Sequence, residues 1–176
     1  MFIELLRKRR SIRRFENRPV EKEKIDILVE AALRSFSGKS INPWEFVVVS
    51  DPFLLSQLSE AKPHGAAFLK NTPLAIVVCL DPEKSDTWVE DGSIAATMLH
   101  LAATDLGLGS CWVQFRMRSH SEGKSASDYA AEILGLRKGL TILSVIAMGY
   151  PAEEKKPHPA AGLAMEKISY NRYGQR

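Results

Sequence analysis

Apolar and polar positions alternate along the chain in a way that predicts helices and strands in turn. Phe2–Arg10 reads as a short helix with Ile3, Leu5 and Leu6 on its apolar side, and Pro19 stops any continuation. Val20–Ser35 then places Ile25, Leu28, Val29 and Ala32 at i, i+3, i+4 and i+7, the spacing of one helical face. Ser37-Gly38-Lys39-Ser40-Ile41-Asn42-Pro43 is a polar turn, and Phe46–Val49 is a β-branched strand. Asp51-Pro52 has the form of an N-cap followed by proline at N1, opening a helix over Phe53–Ala61. Leu74–Leu80 and Thr141–Met148 are apolar runs of strand length, expected to be buried on both faces. Between them lie a long apolar helix, Ser93–Leu106, with Asp91 as its expected cap and Gly107 and Gly109 at its close, a strand over Ser110–Phe115, and a helix over Ser127–Leu134. Beyond Gly149-Tyr150-Pro151 the periodicity fades. Helices alternating with strands imply a layered α/β or α+β sandwich. A tail of about 25 weakly patterned residues is long for a compact monomer and is expected to wrap over a partner subunit.

With 176 residues, no internal repeat and no linker, residues 1–176 are expected to form one domain. The longest apolar run is seven residues, against the ~18 of a spanning helix, and the N-terminus turns basic at Arg7. The expected compartment is the cytoplasm, with no membrane partner. Cys79 and Cys111 are solitary, which disfavours disulfide scaffolds and zinc modules and gives no metal site.

The net charge of +3 conceals an asymmetry. Arg7, Lys8, Arg9, Arg10, Arg13 and Arg14 contribute six of the 24 basic residues; the remaining 18 are outnumbered by 21 acidic ones. The excess therefore sits in one short segment. Arg9, Ser11 and Arg13 alternate, so an extended backbone projects them to one side, and arginine offers paired donors that match a phosphate. Two other readings stay open at this stage: a solvated basic arm, and cations gathered at the C-terminal dipole of the first helix. Nucleic acid is disfavoured as a partner, because the cations form no stripe and no aromatic residues interleave with them.

Motifs for protein-borne catalysis are missing. The chain has no GxSxG elbow, HExxH pair, EF-hand loop, GxGxxG or P-loop. His100, within an apolar helix, reads as a packed, hydrogen-bonded residue, whereas His64 and His120 fall in polar loops and read as exposed. An enzyme built this way would rely on a bound cofactor, with no side chain as the catalyst.

Five segments in order carry a resemblance: Arg9-Arg10-Ser11-Ile12-Arg13-Arg14-Phe15, a Ser-Gly turn leading to Pro43-Trp44-Glu45-Phe46, Leu106-Gly107-Leu108-Gly109-Ser110-Cys111-Trp112, Ala147-Met148-Gly149-Tyr150-Pro151 and Tyr170-Asn171-Arg172-Tyr173-Gly174. Together, over essentially the whole chain, they resemble the nitroreductase family of FMN-dependent oxidoreductases. The resemblance implies an α+β three-layer sandwich with a mixed central sheet, and a homodimer with an exchanged C-terminal tail and FMN at the subunit interface. It implies hydride transfer from NADH or NADPH through flavin N5 to an electron-poor acceptor, nitroaromatic or quinone-like, in a ping-pong cycle. Enoate reduction and dehalogenation are not separated from this, and a non-catalytic flavin-, phosphate- or nucleic-acid-binding module using Arg7–Arg14 is the alternative.

The family's site residues carry over by position. Arg9 and Ser11 match phosphate-holding positions, Arg10 a position along the phosphate and ribityl chain, and Arg13 a basic position near flavin N1 and O2. Ser37 and Ser40 match a turn that reaches the flavin from the other subunit. Trp112, Val113 and Gln114 match the strand end along the ring, with a backbone N–H facing N5. Lys156 and His158 match a Lys-x-Arg phosphate clamp. The chain departs from the family turn at Phe36, Ser40 and Asn42, which replace Pro, Asn and Gln. It departs from the clamp at His158, whose ordinary imidazole is mostly neutral at pH 7. Trp44 is expected in the core; Trp112 could stack on the ring or fill the core.

Overall fold

A computed structural model describes all residues, 1–176. Its centre is a four-stranded sheet in the order β1-β2-β6-β3: β1 is Trp44–Val49, β2 Leu74–Leu80, β3 Gly109–Gln114 and β6 Thr141–Gly149. Every neighbouring pair is antiparallel. This corrects the expected mixed sheet: the parallel contact within the chain is one isolated bridge, Ser11 to Ser110. β1 and β3 are the edges, so a parallel strand could enter only from outside this sheet.

Helices cover both faces. β2 shows why: Leu74, Ile76, Val78 and Leu80 point one way into a core shared with Leu28 and Ala32 of α2 (Lys22–Leu33) and Ala95, Leu99 and Ala103 of α4 (Trp88–Asp105). The alternate residues Ala75, Val77 and Cys79 meet Leu55 and Leu58 of α3 (Pro52–Ser59) and Ala126 and Ala130 of α5 (Ala126–Leu134) on the other face. Strands buried on both sides must be apolar at every position, which is what makes these runs unbroken. Trp44 is buried in the first of these cores, as its sequence context suggests.

The short helix α1 (Phe2–Lys8) ends two residues before Arg10, and the chain leaves it extended at Arg9. Asp51 caps α3 as expected, accepting the Phe53 N–H at 2.8 Å. Asp91 does not cap α4. That helix starts earlier, at Trp88, because Trp88 and Val89 have apolar surface to pack against the core, and Asp91 is buried in its first turn. There it accepts the Gly38 N–H at 2.8 Å and hydroxyl protons from Ser85 and Thr87 at 3.0 and 3.2 Å. A hairpin, β4 (Ser119–Ser121) and β5 (Lys124–Ser125), precedes α5. No helix is long and apolar enough to cross a membrane.

Candidate cofactor site

The basic segment is not a free arm, and only Arg7 and Lys8 belong to the last turn of α1. After Arg9 it runs extended across the end of the sheet and is stitched there from both sides. The Ile12 N–H donates to the Ser110 carbonyl at 2.9 Å, the Glu16 N–H to the Tyr150 carbonyl at 2.9 Å, and the Ala152 N–H to the Arg14 carbonyl at 2.9 Å. Ile12 is buried and seats on Gly109, where a Cβ would lie 2.8 Å from the Ile12 Cβ. Gly109 pairs in register with Gly149, whose own missing Cβ makes room for Pro73 and Phe15. These two glycines let the segment lie flat on β3 and β6.

With Ile12 anchored inward, Arg9 and Ser11 stay half-buried at the surface and Arg13 is exposed. Arg9 and Arg10 line a cleft of about 410 Å³ with Lys8, Lys155, Thr104, Gly107 and the carboxylates Glu153 and Glu154, whereas Arg13 and Arg14 line a separate cleft of about 540 Å³ with Lys70 and Thr72. The guanidinium groups of Arg9, Arg10, Arg13 and Arg14 form no ion pair within the chain, whereas Arg7 pairs with Glu4. Unneutralised arginines beside a hydroxyl are a donor set suited to a phosphate.

Beneath the segment, on β3, Ser110 is buried and hydrogen-bonds His100 Nδ1 of α4 at 2.7 Å. Burial, and then the positive charge of Arg9, lower His100 from its ordinary 6.5 to about 4. The unfolded chain therefore binds a proton near pH 6.5 that the folded chain refuses until about pH 4. Stability from this group is present above 6.5 and is lost as the pH falls toward 4. Thermal melts should show that decline, and His100→Asn should flatten it; an unchanged slope in the variant contradicts the assignment.

From Ser110 the open edge of β3 continues toward Trp112, Val113 and Gln114, beyond the single bridge to Ser11. Val113 is buried, so only its backbone can face a ligand. Trp112 packs half-buried against the core and donates its Nε1–H to Gln114 Oε1 at 2.8 Å, and Gln114 Nε2 donates to the Arg116 carbonyl at 2.9 Å. The site is thus elongated, cationic at one end and flanked by an ordered aromatic–amide pair at the other.

Ser37 and Ser40 are elsewhere. Their turn holds Lys39, Ser40 and Asn42 at φ of 54°, 56° and 51°, and Ser37 Oγ and Asn42 close it on each other. Gly38 ties it to Asp91, near the start of α4, while Thr104, near the end of that helix, lines the cationic cleft. At 1.5 Å per residue these points are roughly 20 Å apart. One chain does not bring the two serines to the arginines.

Lys156 and His158 are exposed, and neither lines the cleft. Their neighbours do the contacting. Glu153 accepts the Arg13 N–H at 2.6 Å and the Arg14 N–H at 3.3 Å, and Lys155 Nζ donates to the Ser11 carbonyl at 2.7 Å. Sequence reasoning missed both, because a Glu-Glu-Lys-Lys run looks like solvated charge and these contacts span about 140 residues of chain. His120 is not a free loop residue either: it stacks on Tyr129 with ring centroids 3.8 Å apart and its Nδ1 lies 3.1 Å from the Glu60 carbonyl.

Comparison with known proteins bears on this geometry. A family model described as the nitroreductase family matches residues 6–71 and 55–150. A solved FMN-dependent nitroreductase from Clostridium difficile R20291 is 44% identical, with a TM-score of 0.95 over 97% of this chain and 99% of its own. A solved protein of Bacteroides thetaiotaomicron, provisionally named an NADH dehydrogenase/NAD(P)H nitroreductase, is 35% identical with a TM-score of 0.89 over 98% of each chain. A protein of Archaeoglobus fulgidus with the same provisional name is 36% identical over 157 residues, 87% of each sequence.

Proposed function

The chain belongs to the nitroreductase family, and from that premise we propose that it is an FMN-dependent oxidoreductase that moves hydride from NAD(P)H to an electron-poor organic acceptor. The observation that carries this reading is the unpaired arginines Arg9 and Arg10 in the cleft at one end of the open β3 edge, where Ser11 bridges to Ser110. An elongated ligand with a dianionic tip and a flat ring fits that order of groups, and FMN has that form.

In this reading Arg9, Arg10 and Ser11 bind the phosphate. Arg13 stands further along the segment and places positive charge at the N1–O2 side of the ring, favouring a reduced, anionic flavin. The outer edge of β3 near Gln114 offers backbone N–H groups to the ring, and the Trp112–Gln114 pair fixes the shape of that end. Bound FMN supplies the two-electron carrier between nicotinamide and acceptor; the protein contributes position and electrostatics. Lys156 and His158 would join the phosphate end only by a rearrangement of the segment after β6.

We infer further that residues 1–176 act as one FMN-binding domain and that the working unit is a homodimer. Two observations support it. β1 has an unpaired outer edge, which natural sheets usually cover. Leu163, Met165, Ile168, Tyr170 and Tyr173 of the tail are all exposed on the single chain, so exchange of the tail would bury them on the partner.

The test is a spectrum. Purified protein should be yellow, and its flavin bands should bleach anaerobically on addition of NADH or NADPH and return with a quinone or nitroaromatic. Protein that stays colourless in excess FMN contradicts the reading.

A further inference from the structure

Glu153 is an odd neighbour for a phosphate site. A carboxylate 2.6 Å from the Arg13 N–H lowers the positive potential that the arginines create. It is also largely enclosed, with a side chain only 18% exposed, and the Arg13 amide holds it below the usual carboxylate range, so it is ionised at neutral pH. Lys155 lies 3.2 Å away, 27% exposed, with its Nζ also on the Ser11 carbonyl. The two side chains thus grip Ser11, Arg13 and Arg14 by their backbones, and their charges sum to zero.

Resting on the flavoprotein reading above, we propose that Glu153 and Lys155 form a neutral latch that positions the arginine segment, with Lys155 acting as the counter-charge of Glu153 and not as a ligand of the phosphate. Glu153 supplies acceptors that the backbone N–H groups of Arg13 and Arg14 would otherwise seek in water. Lys155 cancels the repulsion that the same carboxylate would exert on an incoming dianion. The latch also joins the socket to the segment that leaves β6 for the tail, since Pro151 bridges Phe15 and the Ala152 N–H bonds Arg14. Glu153 is the positioning residue, and Lys155 acts through it as the counter-charge.

The experiment compares FMN with riboflavin, which lacks the phosphate, by fluorescence titration of the full-length apoprotein. Lys155→Met should weaken FMN at least tenfold and leave riboflavin unchanged, because it uncovers the Glu153 charge. Glu153→Gln/Lys155→Met should restore FMN to within about threefold of wild type, since the amide oxygen still accepts the Arg13 N–H and no charge is left to cancel. Glu153→Ala, which removes the acceptor, should weaken FMN where Glu153→Gln does not. Thermal melts of each variant confirm folding. The proposal is overturned if the double variant stays as weak as Lys155→Met, which makes Lys155 a direct phosphate ligand. It is equally overturned if Lys155→Met binds FMN normally, or if both flavins weaken together. A wild-type chain that binds neither flavin rejects the flavoprotein reading itself.

Discussion

Replacing Arg9 with alanine is expected to strip flavin from the protein during purification and to weaken FMN binding by roughly 10–100-fold. The magnitude follows from the geometry. Arg9 is half-buried in the cleft and has no carboxylate partner of its own, so its donors are free for a ligand. A hydrogen bond to a charged group contributes about 1.5–3 kcal/mol. Arg9→Lys should recover part of the loss, because an ammonium keeps the charge but not the paired planar donors. Flavin content after purification and calorimetric titration with FMN both read this. Full retention of flavin by Arg9→Ala would remove the residue from the phosphate site, and the same comparison with Arg13→Ala tests the ring end.

The second large effect is on the platform under that segment. Gly149→Ala would put a Cβ 2.5 Å from Pro73 Cγ, 2.8 Å from its Cδ and 3.1 Å from Phe15 Cδ1. The pyrrolidine ring cannot rotate away, and Phe15 belongs to the stretch that carries the arginines. Overpacking of this kind costs about 1–3 kcal/mol, and in a chain of this length each kcal/mol lowers Tm by roughly 2–4 °C. Since relief requires Phe15 or the Pro73 loop to move, the variant should also bind FMN less well than its Tm alone explains. Equal melting temperatures for Gly149→Ala and wild type would contradict the packing described.

Much of the scaffold was legible because burial on two faces leaves a plain mark. Leu74–Leu80 and Thr141–Met148 are strands for the reason that made them unbroken apolar runs, and Asp51-Pro52 opens α3 as such a pair should. Asp91 misled because acidic residues before an apolar run usually cap it. Here the carboxylate instead holds Gly38, a contact 53 residues away that no local pattern encodes. The mixed sheet came from the resemblance, and the single chain has only antiparallel pairs. At the site, the inward Ile12 is what an extended stretch provides, but Arg9 and Arg13 line different clefts, a division that a period of two does not contain. Glu153 and Lys155 were not legible, because their meaning depends on where the end of β6 meets the start of the chain. His100 reads from its apolar helix as packed and hydrogen-bonded, and its partner, Ser110, appears only when α4 lies against β3.

The most direct measurement is a crystal structure grown with excess FMN. The phosphate should lie within hydrogen-bonding distance of the Arg9 guanidinium and the Ser11 hydroxyl, with the ring along β3 toward Gln114 and the Ser37–Asn42 turn of a second copy close to it. FMN bound elsewhere, with Arg9 and Arg13 turned to solvent, would contradict the account.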